Sequence, residues 1–253
     1  MPDHKDKKYV SDVSITVSAE SQNSKDNIVL KTENLTKIFD SKGINVIALQ
    51  DVNFSVKRGE FISIMGPSGS GKSTLLNIIG ALDRPTSGKV FINGFDIFSL
   101  DDSEIATMRN RLIGYVFQSY NLVNRTTVEM NVKLPAIISG MSSSEANFRT
   151  MKILETLGIA DKAKQKPVNL SGGQQQRVAI ARSLINNPSI ILADEPTGNL
   201  DTKTGSDIFK MLKELSNRFQ RTIIMVTHNP ELAQDTDRII MIKDGRIESD
   251  TKN

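Results

Sequence analysis

Short, continuous apolar runs recur along the chain, at "EFISIM" (60–65), "SIILA" (189–193), "TIIMV" (222–226) and "RIIMI" (238–242). Each is strand length and apolar on both faces, and helix-spaced segments such as "LLNIIGAL" and residues 203–218 follow the first three. Buried strands separated by helices predict a mostly parallel sheet with crossover helices, in which ligands gather beyond the carboxyl ends of the strands. Before the first run, "VIALQDVNFSV" and neighbouring runs are broken by "DSKG" and "KRGE"; after the "LLNIIGAL" helix, "RPTSGKVFINGFDI" reads as turn, strand and turn. Both patterns predict antiparallel strands. "IGYVFQ" predicts a further short strand ending at Gln118. Between about 125 and 185 the spacing becomes helical, and Phe148, Met151, Leu154 and Leu157 fall at three-residue steps, closed by Gly158. Those four are expected to pack together against neighbouring helices. Residues 1–27 are polar and mixed in charge, which predicts a disordered or weakly ordered tail, with the folded region over 28–253 and a helical lobe at about 119–185. The fold class expected is α/β, with an antiparallel β subdomain and an inserted helical subdomain.

Composition changes this picture little. The chain has 253 residues, 38% of them hydrophobic, enough for one substantial core or two joined lobes. Lys and Arg number 32 against 29 acids, a net of +3, so charge gives no indication of nucleic acid. The absence of cysteine excludes disulfides and thiolate metal sites. The N-terminal residues lack the apolar core of a signal peptide, and no stretch approaches the roughly 20 apolar residues that span a bilayer. A membrane role would therefore run through a partner.

The strand–helix junction after "EFISIM" carries "GPSGSGKST", residues 66–74. Gly66, Gly69 and Gly71, with Ser68 and Ser70 between them, let backbone N–H groups close around phosphate oxygens, and the helix starting near Lys72 adds partial positive charge. In such a phosphate loop Lys72 reaches the β- and γ-phosphates and Ser73 ligates Mg²⁺, with Thr74 among the nucleotide-binding residues. "SIILADE" delivers two adjacent carboxylates to a strand end. Neighbours on a strand point oppositely, so Asp194 suits a Mg²⁺ shell while Glu195 could orient or deprotonate water. In "NLSGGQQQRVAIARSL", Ser171 is a good N-cap, and Gly172 and Gly173 in the first turn make sense where something approaches the backbone closely.

"GPSGSGKST", Gln118, "LSGGQ", "LADEP" and His228, in this order, resemble the nucleotide-binding domain of ABC ATPases over about residues 28–250. The resemblance implies a P-loop NTPase core that hydrolyses ATP with Mg²⁺. It implies a head-to-tail homodimer in which Ser171, Gly172, Gly173 and Gln174 of one copy meet the γ-phosphate held by the other. It places Gln118 near Mg²⁺ and the attacking water, His228 on the γ-phosphate as a catalytic residue beside Glu195 and Lys72, and Asp201 at the dimer interface. Phe39 stands where the family usually has an adenine-stacking aromatic; a core phenylalanine is the competing reading.

"FQSYNLVNRTTVEMNVKLP" and "LADEPTGNLDTKTG" are similar to the branch serving lipoprotein release, macrolide export and antimicrobial-peptide resistance. That similarity implies a cytoplasmic ATPase held peripherally on the inner face of the cell membrane by an integral-membrane permease, through which its only membrane contact runs. The groove for the permease is expected at residues 118–165. The alternatives are a soluble ABC ATPase of translation or DNA repair, which usually carries two P-loops or a long coiled-coil insertion, and a regulatory module, whose catalytic set would be damaged.

Overall fold

The computed structural model describes residues 27–41 and 43–253, so the expected tail lies, apart from Asn27, outside the described residues. Two long strands, β1 (Ile28–Ser41) and β2 (Ile44–Lys57), pair antiparallel with Phe39 opposite Val46. With β4 (Ser87–Ile92) and β5 (Phe95–Asp96) they form a four-stranded antiparallel sheet in the order β2-β1-β4-β5.

The continuous apolar runs form the second sheet. Its strands are β3 (Phe61–Met65), β6 (Ile113–Val116), β7 (Ile190–Asp194), β8 (Thr222–Val226), β9 (Arg238–Lys243) and β10 (Arg246–Lys252), in the order β10-β9-β3-β8-β7-β6. All neighbours are parallel except β10, which closes a hairpin on β9 at the edge. Every residue of β8 is buried, because helices or the antiparallel sheet cover both faces. The period-2 alternation of strands divides the core cleanly. Leu192, Ile224, Ile62 and Ile64 face a cluster with the antiparallel sheet and α1 (Lys72–Ile79), while Ile191, Ala193, Ile223 and Met225 face a helical cluster. That second cluster is built from α3 (Val128–Ile138), α4 (Ser143–Thr156), α5 (Gly172–Leu184) and α6 (Thr202–Phe219); Phe209 of α6 meets Phe61 with ring centroids 5.7 Å apart. A short α7 (Pro230–Gln234) links β8 to β9. The architecture is the expected α/β fold with its antiparallel and helical additions.

Three local expectations need correction. Helix α2 (Asp102–Leu112) was not foreseen, although it opens on a capping box: Asp101 Oδ1 accepts from Glu104 N at 2.8 Å, and Glu104 Oε2 from Asp101 N at 3.0 Å. Strand β6 ends at Val116, leaving Gln118 two residues beyond it. The four residues at three-residue steps, three in α4 and Leu157 at its C-cap, do not share a face: Leu154 and Leu157 are buried, but Phe148 is 64% exposed and Met151 37%. A step of three turns the helix through 300°, so each successive residue falls back by 60°. The buried stripe is Ala146, Thr150 and Leu154, at steps of four.

Candidate nucleotide site

The 66–74 loop leaves the end of β3 and enters α1 through Gly71, which caps the helix in a left-handed conformation, φ 100°, without a side-chain hydrogen bond. A Cβ there would stand 2.4 Å from Ala48 O, so the loop presses on β2 as only glycine allows. The β9–β10 turn braces it from the other side: Gly245 N donates to Ser70 O at 3.1 Å, and Gly245 O accepts from Gln50 N at 2.8 Å. The first N–H groups of α1 thus carry no capping side chain. Lys72 is 5% exposed and curls back, its Nζ donating to Gly66 O at 2.9 Å and Pro67 O at 2.7 Å. Burial lowers its pKa, and the nearby Glu195 and Asp194 charges oppose that shift.

Opposite the loop stand the two acids. Asp194 ends β7 beside Val226 of β8. Burial, then the Glu195 charge, raises its pKa against the pull of Lys72 and His228. Glu195 has already left the strand. Its φ is 44°, its N–H donates to Val226 O at 3.0 Å, and its carbonyl accepts from Gly198 N at 3.0 Å. Holding a non-glycine residue there costs roughly 1–3 kcal/mol, a strain typical of working sites. The twist turns the carboxylate to His228, with Oε1 2.6 Å from Nε2. His228 follows β8, so the pair joins the carboxyl ends of adjacent parallel strands.

Gln118 arrives from beyond β6. Its Nε2 donates to Asn199 Oδ1 at 3.4 Å, and Asn199 Nδ2 donates to Gln118 O at 3.0 Å. Gly198 lies between Gln118 and Glu195: a Cβ on it would be 2.8 Å from Gln118 Nε2 and 3.3 Å from Glu195 Oε2. Asn199 holds the glutamine segment, and the sequence reading assigned it nothing, since an Asn in "GNLD" carries no signal of a partner 81 positions away. Residues 66–74, 118, 194, 195 and 228 therefore meet at one edge of the sheet.

The signature segment is built elsewhere. Ser171 caps α5 in a capping box, its N–H donating to Gln174 Oε1 at 2.9 Å and its Oγ accepting from Gln174 N at 3.4 Å. Asp201 caps α6, accepting from Thr204 N at 3.0 Å, and the Thr204 hydrogen bond lowers its pKa. Among the described residues no hydrogen bond joins Ser171–Gln174 or Asp201 to the 66–74 loop. Phe39 is not in the core; it is 43% exposed on β1, with Lys37 Nζ 4.8 Å from its ring centroid.

A glycine-rich loop feeding a helix, with a carboxylate at the end of one strand and a histidine just past the end of the adjacent parallel strand, defines a P-loop nucleotide hydrolase. The chain belongs to the ABC transporter family, whose model matches residues 49–198. It is similar to an ABC transporter ATP-binding protein of Thermotoga maritima, 50% identical over 220 residues that cover 87% of this chain and 94% of that one. MJ0796 of Methanocaldococcus jannaschii is 48% identical over 88% of this chain and 97% of its own. Its dimeric structure in a post-hydrolysis state bound to ADP and Pi covers 88% of this chain and 98% of that one, with a TM-score of 0.81. The macrolide export ATP-binding/permease protein MacB of Vibrio parahaemolyticus is 46% identical over 226 residues, 89% of this chain but only 34% of the longer protein. The chain is thus an ATP-binding, ATP-hydrolysing subunit of an ABC transporter. No described helix is long and apolar enough to cross a membrane.

Proposed function

We propose that the chain is a cytoplasmic ATPase, one domain over residues 28–253 with a helical lobe at about 119–185, that closes as a head-to-tail homodimer on MgATP and drives a separate membrane permease. The observation that carries this reading is the division of the site. Loop, acids, Gln118 and His228 converge on one edge, while the signature helix N-terminus has no bond to that loop. A second copy would supply what the edge lacks, as the dimeric MJ0796 cassette suggests.

The chain's own groups divide the work. Lys72 would exchange the two loop carbonyls it now bonds for β- and γ-phosphate oxygens, inside the cradle of N–H groups from Gly66 to Thr74, with Ser68 and Ser70 among them. Phe39 would offer its exposed ring to adenine. Glu195, already oriented by its backbone, would accept a proton from the attacking water, and His228 would hold that carboxylate and touch the γ-phosphate. Ser171, Gly172, Gly173 and Gln174 of the partner would face the same phosphate, and Asp201 the interface. Among the described residues no three His, Cys, Asp or Glu side chains gather in a metal cage. The Ser73 hydroxyl, the Asp194 carboxylate and the Gln118 amide instead make the sparse oxygen set that suits Mg²⁺ shared with phosphates. Bound there, Mg²⁺ would neutralise charge developing on the transferred phosphoryl group.

MacB is by name an ATP-binding/permease protein, and the match to this chain covers 34% of it. We assign this protein a permease of that kind as a separate subunit, in export or in transmission of motion across the membrane. Affinity capture of tagged Glu195→Gln protein from solubilised native membranes with MgATP tests this. Recovery of a polytopic protein with a large extracytoplasmic domain is expected. Recovery of ribosomal or DNA-bound proteins alone would contradict the permease assignment.

A further inference from the structure

The segment after Gln118 is fastened to the signature helix by one aromatic residue. Tyr120 and Asn121 both adopt positive φ, 59° and 49°, which turns their carbonyls to the same side. Arg182, near the far end of α5, reads both: Nη2 donates to Tyr120 O at 2.8 Å, and Nη1 donates to Asn121 O. No carboxylate pairs with Arg182 among the described residues, so the guanidinium is spent on this turn. Helical side chains lean toward the helix N-terminus, so Arg182 reaches back along α5. The Tyr120 ring continues in that direction. Its hydroxyl stands 2.8 Å from where a Cβ of Gly172 would lie, and burial raises its pKa. One residue therefore touches α5 near both ends, Arg182 through its carbonyl and Gly172 through its hydroxyl. Leu200 and Thr204 also close on the glycines: a Cβ on Gly172 would be 3.1 Å from Leu200 Cδ2, and one on Gly173 2.4 Å from Thr204 Cγ2. The two glycines thus already accommodate close neighbours within one chain.

We propose that Tyr120 is a positioning residue that ties the segment bearing Gln118 to the signature backbone at Gly172, with Arg182 as its anchor. Gln118 is held on the other side by Asn199, next to Glu195. Tyr120 thereby fixes the backbone of Ser171–Gly173, which meets the partner's triphosphate in the composite site, in a set position relative to Gln118. This inference rests on the composite-site reading above.

The test uses the full chain in the Glu195→Gln background and measures two quantities: ATP affinity of the isolated protomer, and the MgATP concentration giving half-maximal dimer. Tyr120→Ala is expected to raise the second about tenfold, an ordinary coupling between sites, while the first stays within about twofold. Arg182→Lys keeps the charge but loses the two-pronged grip, and gives the same split. The double variant is expected to add little to either single change, because the two residues act as one unit. Unchanged dimerisation in Tyr120→Ala and in Arg182→Lys overturns the proposal, as does a loss of ATP affinity as large as the rise in the half-maximal MgATP concentration, the mark of a general structural defect. A parent Glu195→Gln protein that binds ATP and never dimerises contradicts the composite-site reading itself, and this inference with it.

Discussion

Glu195 Oε1 lies 2.6 Å from His228 Nε2, across the carboxyl ends of strands β7 and β8. A left-handed residue directly after a buried strand produces this contact; had Glu195 stayed in β7, its side chain would have pointed to the opposite side from Asp194. The strain at φ 44° thus aims the carboxylate.

From that relationship, Glu195→Gln keeps the shape of the side chain and removes its basicity. ATP turnover is expected to fall by about 10²–10⁴, the usual worth of a positioned general base, with nucleotide affinity retained. His228→Ala is expected to lower turnover as well by freeing the carboxylate. Steady-state phosphate release alongside equilibrium nucleotide binding checks both. Parent turnover in Glu195→Gln would remove it from the role assigned here.

Asp194 titrates above an ordinary carboxylate, chiefly because it is buried and next to Glu195. Ionising it therefore costs the folded chain more than the unfolded one. Its contribution to stability is fully present below the ordinary carboxylate range, near pH 3.9, and is lost as pH rises through the raised value. Asp194→Asn is expected to stabilise the nucleotide-free protein at neutral pH by about 0.5–2 kcal/mol and to abolish Mg²⁺-dependent turnover. Urea unfolding across pH, without nucleotide, would show the variant's gain vanishing in acid. A variant less stable than the parent at neutral pH would contradict it.

Gly173 has no room for a methyl group, because Thr204 Cγ2 would be 2.4 Å away. Gly173→Ala is expected to cost about 1–3 kcal/mol of stability through overpacking. Adding Thr204→Ser removes the obstructing methyl and should recover most of that loss. Denaturant midpoints of the two variants make the comparison, and an undiminished loss in the double variant would contradict the packing account.

In α4, Phe148→Ser is expected to change stability by less than about 0.5 kcal/mol, since its ring is 64% exposed. Leu154→Ala, six positions on and fully buried, is expected to cost about 2–5 kcal/mol. Equal losses in thermal unfolding would overturn the assignment of the buried stripe.

The parallel strands were legible because they carry short apolar runs, and the phosphate loop because Gly66–Thr74 follows one of them; β10, polar and almost wholly exposed, carries no such run. The ordered motifs made Asp194, Glu195 and His228 readable as a set, though not the 2.6 Å contact, which depends on one backbone angle. Helix α2 has few apolar residues and buries only Ile105, so periodicity was silent; its capping box at Asp101 and Glu104 was the available signal. Phe148 misled because three-residue spacing imitates a helical face over one turn and departs from it over three. Asn199, Tyr120 and Arg182 were invisible for a different reason. Their partners lie 50 or more positions away, and no local pattern encodes such contacts.

The composite site is tested most directly by cross-linking between chains, for which the absence of native cysteine is convenient. Ser68→Cys, in the phosphate loop, and Val168→Cys, exposed three residues before Ser171, would be made separately in the Glu195→Gln background, mixed, and treated with a short bifunctional thiol reagent. A covalent dimer is predicted in the mixture with MgATP, and neither in the mixture without nucleotide nor with one variant alone. Cross-linking that ignores ATP, that arises from a single variant, or that fails in the MgATP mixture would contradict the head-to-tail site.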